Sequence, residues 1–106
     1  MFTINSELWQ VVLVHPRDPV LLMPNGEFAL GVCDDNAKTI AISDELHGEE
    51  FERALSHELV HAAMFSYNVE LGYNEEELLA EIISIFGEEI VDLTNVIFER
   101  IRRGRY

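Results

Sequence analysis

The segment GEEFERALSHELVHAAMFSYN, residues 48–68, decides how the rest of the chain is read. It has acidic residues in its first turn and no proline, so it reads as a helix of about five turns. At about 100° per residue, His57 and His61 fall about 40° apart on one face, and both imidazoles can reach a single ion. Glu58 stands about 100° from His57, beside that ion rather than on it, where a general base is placed to take a proton from metal-activated water. Phe51, Leu55, Leu59 and Ala62 occupy the opposite arc, which can pack on a sheet while the histidines face away from it. The plain alternative is a pair of surface histidines on an amphipathic helix. The leucine, valine, alanine and methionine residues around the pair argue against a solvated surface.

Upstream of this helix the pattern is strand-like. LWQVVLV (8–14) is rich in β-branched and aromatic residues and stops at HPRDP, where Pro16 and Pro19 break it. A turn signal at Asn25-Gly26 precedes a second run, FALGVC (28–33). The short turn DDNAK then joins that run to TIAIS (39–43), and the two read as a hairpin. Downstream, VELGYN (69–74) makes a loop. The stretch that follows predicts a helix over about 75–102, or two helices meeting near Gly87, because glycine is unfavourable in a helix interior. Strands come first and helices last, which predicts an α+β fold: a small three-stranded sheet with the helices on one face. A length of 106 residues suits one domain spanning 1–106.

The formal net charge of −13 is unevenly spread. Arg100, Arg102, Arg103 and Arg105 crowd the last seven residues, and before them only Arg17, Lys38 and Arg53 stand against all 20 acids. Such a surface repels phosphate backbones and excludes nucleic acid as a partner. Cys33 is the only cysteine, which rules out an internal disulfide and fits a reducing compartment. The start MFTINSELWQ lacks the basic and apolar regions of a signal peptide, and VVLV is too short to cross a bilayer. The expectation is a cytoplasmic protein that does not engage membranes.

Two histidines do not complete a catalytic metal site, which needs three protein ligands and an open position for water. His15 and His47 read as plain strand-end and surface residues. EEELLAE is a better source of the third ligand. Glu77 and Glu81 are four apart on one helix and project the same way, and a carboxylate suits zinc. Glu88 shares their face and reads as part of its solvated side.

His57-Glu58-x-x-His61 followed by Glu77-Leu-Leu-Ala80-Glu81 resembles the gluzincin arrangement of thermolysin-like zinc metallopeptidases. The resemblance covers residues 25–100 and is nearest to minimal single-domain gluzincins and the small zinc-peptidase-like proteins of phages and prophages. It implies a Zn²⁺ cofactor held by His57, His61 and Glu77, Glu58 as the catalytic base, and Glu81 orienting His57 from behind. Glutamate stands at 81 where the family usually has aspartate, and Glu81 as the third ligand is the alternative. The resemblance also implies an edge strand that lines the cleft and takes a peptide or protein substrate as an added strand through Ala29, Leu30 and Gly31. In that picture Phe28, Leu30 and Val32 point to the core, and Ala29, Gly31 and Cys33 point outward.

The function so implied is peptide-bond hydrolysis, whether fully active, weak or latent. The alternative from another class is a catalytically silent, zinc-stabilised binding or regulatory module of the phage type. Three features remain: Cys33 as a thiolate that keeps the site latent, Tyr67 and Tyr73 as donors to an oxyanion, and the tail RIRRGRY folding back over the acidic cleft.

Overall fold

The computed structural model describes residues 1–104. It is α+β: four strands form one mixed sheet, and two helices follow. The first strand, β1 (Phe2–Ile4), is too short to have shown in the sequence pattern. It pairs antiparallel with β2 (Glu7–Val14) through a two-residue turn whose residues, Asn5 and Ser6, both take positive φ (47° and 67°). Those angles give the turn a twist that matches the strands it joins. The sheet therefore has one strand more than the three expected.

The hairpin of β3 (Gly31–Asp34) and β4 (Thr39–Ser43) forms as expected. Its position does not follow from the local pattern: β4 lies parallel to β2, with Val12 opposite Ala41 and Val14 opposite Ser43. The sheet order is β1-β2-β4-β3, which puts β4 in the middle and β3 at an edge. Residues 15–30 make the crossover that parallel pairing requires. A single 3-10 turn, Pro19–Leu21, is capped by Asp18 and buries Leu21 against β3 and β4. β3 starts at Gly31, later than the expected 28. Residues 28–30 turn instead towards the crossover, where Leu22 bridges Phe28 and the Ala29 amide donates to the Leu21 carbonyl at 2.8 Å.

Helix α1 (Gly48–Ser66) lies on the sheet. Trp9, Ile40, Ile42, Leu46 and Ala62 are the buried residues of the core, with Phe51, Ala54 and Leu59 packed against them. Trp9 also ties the helix end to β2, its indole N–H donating to the Ser66 hydroxyl at 2.8 Å. The helix stops because Asn68 takes the left-handed conformation (φ 55°). Its amide then donates to Phe65 and that of Val69 to Met64, which satisfies the last carbonyls.

Helix α2 (Tyr73–Arg102) runs unbroken through Gly87. It packs against α1 rather than the sheet, and Ala80 is its only buried side chain among the described residues. No helix of the described residues is long and apolar enough to cross a membrane. Among the described residues the tail does not reach the cleft. Arg102 lies 25 residues along the helix from Glu77, about 37 Å at 1.5 Å per residue. Arg105 and Tyr106 lie outside the described residues.

Because the core is small and Ile42 is fully buried at its centre, Ile42→Ala is expected to destabilise the fold by about 2–5 kcal/mol. Urea unfolding followed by the fluorescence of Trp9, the only tryptophan, measures this. A loss under about 1 kcal/mol would place the core elsewhere.

Candidate metal centre

The two helices form an antiparallel pair, so each step of four residues back along α1 meets a step of about four forward along α2. His61 meets Glu76 and Glu77, His57 meets Glu77 and Glu81, and Arg53 meets Glu81. Ala80 sits between the carboxylates and is fully buried. Its small side chain lets α1 approach closely enough for these contacts.

His57, His61 and Glu77 come together as a group that can hold a metal ion, their donor atoms all within 4.8 Å of one another. His61 Nε2 lies 2.8 Å from Glu77 Oε1, and His57 Nε2 lies 3.4 Å from Glu77 Oε2. The two rings are 5.1 Å apart between centroids and tilted by 58°. The other ring nitrogens face separate carboxylates, His57 Nδ1 at 3.6 Å from Glu81 and His61 Nδ1 at 3.2 Å from Glu76. Two Nε2 atoms converging on one carboxylate, each ring backed through Nδ1 by another, is a donor set suited to a divalent cation.

Glu81 thus lies on the Nδ1 side of His57, and Arg53 holds its other oxygen at 3.1 Å. Glu81 is not in the converging group. Glu76 was missed in the sequence, although a signal existed: His61 needs a partner for its second nitrogen, and the run Glu75-Glu76-Glu77 offers carboxylates on adjacent faces of one turn.

Glu58 is buried beside the group. Burial pushes its carboxyl up to about 7, with the Glu77 charge adding and His57 opposing. It touches the edge strand, and a methyl group built on Gly31 would come within 3.1 Å of Glu58 Cγ and 2.8 Å of Ile42 Cδ1. This corrects the expected facing of the strand. Gly31 and Cys33 point towards α1, with Cys33 packed on the core, whereas Phe28 and Leu30 are exposed. The cause is register. Gly31 pairs with Ile42 and Cys33 with Ile40, and cross-strand partners share a face.

The Ser43 amide donates to the Leu30 carbonyl. By the alternation of an antiparallel ladder, the backbone groups of Gly31 are then directed at the open edge. Ala29 already spends its amide on Leu21. The open edge, His57, Glu58, His61 and Glu77 line one cleft of about 1060 Å³.

Of the remaining candidates, Tyr73 lines the cleft and Tyr67 does not. Cys33 lines it but stands outside the converging group. His15 accepts from the Arg17 amide and His47 precedes α1, both outside the group. Glu88 is exposed on α2 beyond the cleft. No protein-family model, curated protein or solved structure matches the chain.

Two outcomes are expected. Glu76→Ala should weaken metal binding about 10–100-fold by titration calorimetry, with the helical circular dichroism unchanged. Unchanged affinity would remove Glu76 from the site. Burial, aided by the Glu58 charge, pushes the Cys33 thiol up to about 12 from 9.0. The fold thus keeps the proton on sulfur as pH rises through the ordinary thiol range, and the reactive thiolate is scarce. Alkylation by iodoacetamide at pH 8 should run at least about a hundred-fold slower in the folded protein than in urea. Equal rates would mean an open thiol.

Proposed function

We propose that this protein is a zinc-dependent peptidase, with His57, His61 and Glu77 holding the ion and Glu58 as general base. One observation carries the reading. The buried Glu58 carboxyl stands between the His-His-Glu group on one side and the free edge strand at Gly31 on the other. A site that only stabilised the fold would have no use for an acid there.

Two imidazoles and one carboxylate suit zinc and leave room for water and substrate. The ion, when bound, supplies Lewis acidity that polarises a peptide carbonyl and acidifies water. The chain's own residues do the rest. Glu58 accepts the proton of the water whose oxygen bonds to the peptide carbon. It returns that proton to the amine nitrogen as the carbon–nitrogen bond breaks. Glu81 and Glu76 hold the two imidazoles by Nδ1, which directs both Nε2 atoms at the ion. Gly31, flanked by Ala29 and Leu30, offers its backbone to a substrate that adds as a strand. The absence of a Gly31 side chain lets Glu58 pack against the strand, since a methyl group there would clash with Ile42 and crowd the Glu58 methylene groups.

A fluorogenic peptide library, assayed with and without chelator, tests the proposal on the parent and on Glu58→Gln. Cleavage by the parent should stop with chelator, and the variant should keep its metal while losing at least about a hundred-fold in rate. A variant that cleaves like the parent refutes the role of Glu58. A metal-loaded parent that cleaves nothing leaves the chain a metal-stabilised docking module.

A further inference from the structure

The second half of α2 has no use in the site just described. At 1.5 Å per residue α2 is about 45 Å long against about 28 Å for α1, so it outruns its only helical neighbour. The longest dimension of the protein, 55 Å against 30 and 28 Å, reflects this overhang. Beyond Gly87 none of its described side chains is buried, and its side-chain hydrogen bonds and ion pairs are all local: Thr94 to Ile90, and Arg102 and Arg103 to Glu99.

The overhang is nevertheless apolar, with Val91, Val96 and Phe98 exposed on its flanks and one continuous line between them. Ile83, Phe86, Ile90, Leu93 and Ile97 recur at spacings of three and four, the seam of a two-helix coiled coil. Phe86, Ile90 and Leu93 are each about half exposed or more, at 52%, 60% and 49%. This seam faces away from α1, because Ala80 and Ser84, on the α1 side, lie about 100° and 140° round the helix from Leu79 while the seam lies within about 40° of it.

Charge identifies what covers the seam. The overhang begins acidic, with Glu88, Glu89 and Asp92, and ends with a basic excess, Arg100, Arg102 and Arg103 against Glu99, which pairs with Arg102 and Arg103 along the helix. On a chain of net charge −13 it carries four acids and three arginines, close enough to balance for two copies to meet with little repulsion. Two copies side by side in parallel would set acid against acid and base against base. Turned antiparallel about a two-fold axis near Asn95, each acidic end meets the other copy's basic end, and Leu93 lies opposite Ile97 of the second copy. Glu89 and Arg103 fall on the same flank of the seam, so each reaches the other across the pair. A two-fold pairing of this kind closes on itself and does not propagate.

We propose that the protein is an antiparallel homodimer through residues 87–103, the end of α2 and its cap, with Ile90, Leu93 and Ile97 supplying the apolar contacts and Glu89 of each copy paired to Arg103 of the other. The interface is distinct from the metal centre, which stays open on the α1 side of the helix.

Sedimentation equilibrium of the full chain at tens of micromolar should give about twice 12.2 kDa. Leu93→Glu, at an exposed position that the monomer does not need, should give the monomer mass with an unchanged helical spectrum. Glu89→Arg and Arg103→Glu should each weaken association at least about ten-fold, and the double variant should restore it. A parent that stays monomeric at several hundred micromolar overturns the proposal, as does a dimer that survives Leu93→Glu. Failure of the double variant to recover overturns the antiparallel register.

Discussion

The candidate site depends on how closely α1 and α2 approach. Three side chains from one helix and three from the other can interleave only if no bulky residue keeps the backbones apart, and Ala80 supplies the gap. Antiparallel helices then repeat their contacts every four residues on both partners. This is why His61, His57 and Arg53 meet Glu76, Glu77 and Glu81 in order. The convergence of three donors is thus a property of the helix pair, with the short loop of residues 67–72 setting its register.

The sheet makes a different contribution. It gives α1 an apolar bed at Ile40 and Ile42 and brings the edge strand against the helix at Glu58. That second contact joins the two halves of the cleft. Gly31 leaves space for the Glu58 methylene groups against the edge strand, and burial is what raises its carboxyl to about 7. A carboxyl in that range can both hold and release a proton near neutrality, which the proposed base must do. Space at position 31 and acidity at position 58 are one feature of the packing.

Much of this could be read from the sequence because it is periodic. The change of period at residue 48, the His57–His61 spacing and the Glu77–Glu81 spacing are properties of a single helix, and helices report their faces locally. What escaped depends on contacts between distant segments. The parallel pairing of β2 with β4 is set by the crossover of residues 15–30, which carries no regular pattern. The facing of β3 was inverted because alternation gives two faces without saying which is buried. Only its register with Ile40 and Ile42 decides that. β1 has three residues, too few for any pattern, and Glu76 acquires a partner only once α1 is beside it.

The protein is consequently held together in two unlike ways. Sheet and α1 share an apolar core that needs nothing else. α2 buries one alanine, and the ion pairs that join it to α1 are a row of carboxylates facing imidazoles and one arginine. Without a cation such a row places Glu76, Glu77 and Glu81 within about one and a half turns of each other, an arrangement that costs free energy through like-charge repulsion. Two positive charges among them would reverse its sign. The site that looks designed for chemistry is therefore also the place where a divalent ion would do most to dock α2. The same row of acids supplies Glu77 to the candidate metal group and the ion pairs that join α2 to α1.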